Sequence, residues 1–150
     1  MIDNRTAPYA ALVLRVSLGV MYIAHSLVLK YFTFTLAGTA QFFESLGLPG
    51  ALAYLTFWAE LIGGVLLLAG IGTRVVALGL IPILLGATWV HAGNGWVFSA
   101  ANGGWEYPVF LIAASLVLAL LGDGRFSFGR GLKYPAALTR YLMWRSWLRA

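Results

Sequence analysis

The sequence predicts an all-α membrane protein: a transmembrane four-helix bundle with a short interfacial helix after the first span and a basic, aromatic C-terminal tail. Three observations lead there. Of the 150 residues, 61% are hydrophobic and only 10% charged, with a mean hydropathy of +0.84. Five acids and ten bases are too few to cover the surface of a soluble domain of this size. Four apolar stretches, at about residues 8–29, 52–71, 74–93 and 105–121, approach the roughly 20 residues that about 30 Å of hydrocarbon requires. The bases are distributed unevenly between the connecting segments. One domain accounts for the whole chain.

Taken in order, the first run starts near Pro8, which suits an opening helical turn because its missing N–H would be unpaired there anyway. It is too long for a signal-peptide core and is expected to be a retained helix. Between the first and second spans, Leu36, Ala40, Phe43 and Leu46 recur at near-helical spacing until Gly47 and Pro49. This predicts the interfacial helix, at about 36–47. Only GIGTR separates the second span from the third, so the two form an antiparallel hairpin. Pro82 falls inside the third span and should kink it. The loop HAGNGWVFSAANGGWEYP, rich in Gly and Asn, leads into the fourth span.

Orientation follows from the bases. With the N-terminus inside, the inner segments hold Arg5, Arg74, Arg125, Arg130, Lys133, Arg140, Arg145 and Arg149, and the outer ones only Lys30. The positive-inside rule therefore puts both termini on the cytoplasmic side of an inner-type membrane. The net charge of +5 reflects this bias and the basic, aromatic tail at 123–150, so no nucleic-acid partner is expected. The tail suits a membrane-surface helix or a docking segment. The chain has no cysteine, which excludes disulfides, thiolate metal sites and Fe–S ligation by its own side chains.

Ionisable residues at membrane depth cost a few kcal/mol each and need a partner or a purpose. Arg15 lies about 10 Å into the first helix, and Glu60 about 16 Å from the inner end of the second. Gly19, Tyr22 and Ser26 continue the Arg15 stripe, while Thr56, Gly63 and Gly64 flank Glu60. The two stripes are expected to face each other, with Arg15 and Glu60 as a buried ion pair or as groups that handle protons or charge. Near the outer face, His25, His91 and Glu106 fall at a common depth of about 25 Å, next to Trp89 and Trp105. Together they could hold a metal ion, ligate a haem through the two histidines, or line a quinone site; they could equally be satisfied polar groups in an aromatic belt.

The blocks LRVSLGVMYIAHSLVLK, FFESLGLPG, AELIGGVLLLAGIGTR, WVHAGNGWVF, GGWEYP and GDGR together resemble the DoxX family of small four-helix membrane proteins, over about residues 8–125. The resemblance implies a membrane subunit of a quinone-linked redox system of the thiosulfate:quinone oxidoreductase kind, binding quinone or lipid within the bundle. It also implies partner subunits that carry the redox centre. Arg15, Gly19, His25, Lys30, Glu60, Gly63, Gly64 and His91 are the positions that match. A non-catalytic docking subunit is the alternative. Transport is disfavoured, because no file of charges and no pair of broken helices is present.

Overall fold

A computed structural model describes residues 3–131, and the bases and aromatics of the tail from Lys133 to Arg149 lie outside them. The described residues are helical and contain no strand. Helix α1 (Ala7–Ile23) has Pro8 in its first turn and runs on as a π-helix over Ala24–Thr33. The short α2 (Leu36–Ser45) follows, with the Thr35 hydroxyl accepting from the Gly38 N–H to cap its first turn. Next come α3 (Ala51–Ala69), α4 (Thr73–His91) and α5 (Glu106–Leu121). The expected boundaries hold to within two residues for α3, α4 and α5. The first run differs: its last ten residues make the wider π turn, whose i→i+5 bonding persists to Phe34 N–H on the Leu29 carbonyl.

Three stretches are long and apolar enough to cross a membrane: Ala7–Thr33, Ala51–Ala69 and Thr73–Asn94. Helix α5 is apolar but shorter, at 16 residues. Helix α1 packs on α3 and α5, and α4 packs on α5 and α3. Their shared core is made of Leu18 and Tyr22 from α1, Leu67 from α3, Ala77, Leu80 and Leu84 from α4, and Leu111, Leu118 and Ala119 from α5. Outward faces are apolar too: Val13, Val20, Leu55, Ile62, Val75, Leu85 and Leu120 are all exposed. A chain that is hydrophobic all round has lipid as its solvent.

The expected meeting of the small-residue stripes is present. A Cβ on Gly19 would lie 2.9 Å from the Gly64 carbonyl, and one on Gly64 2.9 Å from the Gly19 carbonyl, so α1 and α3 cross backbone to backbone. Gly63 turns the other way, beneath Leu80 of α4. The α3–α4 joint requires Gly70, which has φ +67° and packs against the Arg15 guanidinium and Ser127. The helices thus place two ends for description: the arginine end, where α1 and α4 begin and α3 and α5 finish, and the loop end, where residues 92–105 lie.

Candidate functional site

Arg15 is 1% exposed and does not meet Glu60. Its Nη1 donates to the carbonyls of Leu67 (2.6 Å) and Leu68 (2.7 Å), and its Nη2 to those of Arg125 and Phe126 (3.2 Å each). Both Nη1 acceptors belong to the last turn of α3, where the helix dipole also favours a cation; the Leu67 carbonyl also accepts the Gly70 N–H at 3.1 Å. The expected Arg15–Glu60 ion pair is therefore corrected. The difference in depth was one that an arginine side chain can span, but the backbone carbonyls at the end of α3 and after α5 were nearer and more numerous than one carboxylate. Arg15 ties α1, the end of α3 and the segment after α5 together.

Glu60 pairs instead with Lys30, Nζ to Oε2 at 2.6 Å, with the side chains 17% and 6% exposed. Lys30, in the π-helical segment, follows buried Ser26 by four residues on the stripe facing α3. His25 and Tyr22 lie within electrostatic reach of Glu60. The Tyr22 phenol lies close to the Ser115 hydroxyl of α5, and both are buried. The buried ion pair and these two hydroxyls make a polar centre inside an apolar bundle.

At the loop end the expected convergence of His25, His91 and Glu106 is also corrected. His91 donates from Nδ1 to the Asn102 carbonyl at 3.0 Å and sits beside Asn94, which ties down the carbonyls of Asn102 and Gly103. His25 donates from Nδ1 to the Met21 carbonyl, and its ring stacks on Tyr107 with centroids 6.1 Å apart. Glu106 turns to the loop, where its Oε1 accepts the Phe98 N–H at 2.9 Å. Each residue serves a different element, because local backbone groups satisfied it before a shared centre could. Both histidines keep Nε2 as the lone-pair nitrogen, the tautomer a metal takes, but among the described residues no three His, Cys, Asp or Glu side chains gather as a metal site.

What the loop end does form is an open groove of about 510 Å³, lined by Trp96, Phe98, Glu106, Tyr107, Val109, Phe110 and Ala113. Of the expected binding residues, Glu106 lines it. Trp105 and His25 support its walls, Trp105 edge-on to Trp96 at 4.5 Å and His25 behind Tyr107. Trp89 is exposed elsewhere on α4, and His91 belongs to the loop. Trp96, Phe98, Tyr107 and Phe110 were not among the binding residues expected from the sequence. The one available signal was the backbone pairing implied by Gly95 and Gly103, whose positive φ folds the loop so that Glu106 N–H reaches the Trp96 carbonyl.

Comparison with known proteins agrees with this architecture. The DoxX family model matches residues 10–93, more than half of the chain. The chain belongs to the DoxX family. It is 35% identical over 120 residues to "Putative oxidoreductase CatD" of Bacillus subtilis (strain 168), covering 80% of this chain and 84% of that protein. No solved structure matches. As a DoxX protein with three long apolar helices it is an integral membrane protein. The family match takes in Arg15, Lys30, Glu60 and the Gly19–Gly64 crossing, whereas the aromatic groove begins just beyond it.

Proposed function

We propose that this DoxX protein is the membrane subunit of a quinone-linked redox system, crossing the inner membrane as a four-helix bundle with both termini cytoplasmic. The observation that carries the reading is the groove beside α5. A quinone ring needs flat apolar walls, a hydrogen-bond donor for a carbonyl and a group to exchange protons. Trp96, Phe98 and Phe110 supply the walls, and the half-exposed Tyr107 the phenolic donor. Glu106 keeps one carboxylate oxygen beyond the one that Phe98 uses, which serves for proton exchange. The groove opens to the outside of the bundle, where an isoprenoid tail would remain among lipid chains. A quinone bound there supplies two-electron chemistry; the chain's own residues orient the ring and manage its protons. Because the chain has no cysteine for Fe–S ligation, the electrons are assigned to a partner subunit. The oxidoreductase name of the Bacillus relative supports the redox assignment.

A second reading, a docking subunit without chemistry of its own, is favoured by one observation. The deepest ionisable groups, Arg15 and the Lys30–Glu60 pair, are committed to architecture. The two readings separate on purification into nanodiscs followed by titration with a short-chain ubiquinone analogue. Quenching of tryptophan fluorescence that saturates at one quinone per chain, weakened at least fivefold in Tyr107→Phe and Phe110→Ala, supports the quinone site. No saturable quenching and no change in thermal stability would leave the docking reading.

A further inference from the structure

At the arginine end, the described residues carry more cationic charge than they neutralise. Among them the only carboxylate–cation pair within 4 Å is Lys30–Glu60, far from this end. Arg15 is consumed by four carbonyls. The two acids nearby are turned to backbone amides: Asp3 accepts the Arg5 N–H, and Asp123 accepts the Thr73 N–H at the start of α4. Asp123 thus faces a helix N-terminus, and its remaining charge is within reach of Arg15. Among the described residues, Arg74 and Arg125 have no carboxylate within 4 Å. The Arg74 guanidinium lies over Gly122, and that of Arg125, three residues further on, lies over the rings of Tyr9 (5.1 Å) and Phe126 (5.6 Å).

A second, independent feature coincides with these charges. Phe126 has φ +52°, a region that a bulky side chain occupies only at a cost. The strain is held by Arg15 on the Arg125 and Phe126 carbonyls and by the Arg125 N–H on the Pro8 carbonyl at 2.9 Å. It does not serve burial, since the rings of Phe126 and Phe128 are 72% and 80% exposed. Exposed aromatic rings beside unpaired guanidinium groups at the end of a membrane bundle match one chemistry: a phosphate at the headgroup level with acyl chains beneath it.

We propose that Arg74 and Arg125 form a binding site for the phosphate of an anionic phospholipid, with Tyr9, Phe126 and Phe128 seated at the boundary between its headgroup and acyl chains. A free phosphate would use the arginines but not the rings, so the phospholipid is the occupant. The site is independent of the quinone groove, which lies at the other end of the bundle.

The test is native mass spectrometry of the full-length protein released from nanodiscs of equal phosphatidylglycerol and phosphatidylcholine. Wild type is expected to retain phosphatidylglycerol preferentially. Arg74→Gln and Arg125→Gln should each lower that retention about fivefold, the weight of one arginine near an anionic surface. Phe126→Gly relieves the backbone strain and removes a ring, so it should lower retention while thermal stability stays level or rises, an outcome that misfolding would not give. Equal retention of the two lipids by wild type, or unchanged retention in the double arginine variant, overturns the proposal. Stabilisation of the detergent-solubilised protein by inorganic phosphate as large as that by phosphatidylglycerol would overturn the lipid as occupant.

Discussion

Replacing Arg15 by methionine removes four hydrogen bonds while roughly conserving the aliphatic volume, and the structure allows the loss to be apportioned. The Leu67 carbonyl keeps the Gly70 N–H at 3.1 Å, so the loss of the 2.6 Å bond from Arg15 costs about 1 kcal/mol. Leu68 is partly exposed, and its carbonyl recovers some solvation, leaving about 1 kcal/mol. The two 3.2 Å bonds to the segment after α5 are long and add about 1 kcal/mol together. The total, about 3 kcal/mol, corresponds to a fall in apparent Tm of roughly 8 °C for a chain of this size. Arg15→Lys should retain about half of the stability, since one ammonium can serve the end of α3 but cannot also fork across to residues 125 and 126. The assay is thermal unfolding in a mild detergent followed by circular dichroism, with a double-mutant cycle against Glu60→Gln. A shift of less than about 2 °C for Arg15→Met would refute the capping argument. So would a coupling to Glu60 above about 1 kcal/mol, which would restore the direct ion pair.

Lys30→Met or Glu60→Leu alone should destabilise by about 3 kcal/mol, because each strands a buried charge, whereas the double variant should return close to wild type in the same melts; simple additivity would contradict this. Gly64→Val should cost about 2 kcal/mol by wedging α1 from α3 at the 2.9 Å crossing, seen as a lowered melting temperature, and a neutral result would disprove the close approach. His91→Ala should leave quinone affinity within twofold of wild type, because His91 holds the loop backbone rather than the groove; a tenfold loss by fluorescence titration would return it to the site.

The helices were legible in the sequence because their signals are long and redundant. Apolar runs, Pro8 in a first turn, the GIGTR joint and the Gly19 and Gly64 stripes each pointed to the same packing, and the bounds agree. Partners of single polar side chains were not legible, for a physical reason. Axial depth and helix face, the coordinates that periodicity provides, placed Arg15 within side-chain reach of Glu60 and His25 level with His91. Side chains choose partners in three dimensions, and backbone carbonyls, which no residue letter marks, won Arg15, His25 and His91. Lys30 reached Glu60 through a π-helical segment that the α-helical wheel did not anticipate. The groove was missed because its walls come from a folded loop, Trp96 and Phe98, laid against one turn of α5.

The proposed occupant of this groove is a quinone ring. Photolabelling the protein in its native membrane with an azidoquinone, followed by peptide mapping, tests it most directly. The account predicts labelling confined to residues 96–113, centred on Tyr107 and Phe110, and suppressed by excess unlabelled quinone. Labelling that is spread over the lipid-facing helices, or that excess quinone does not suppress, would contradict it.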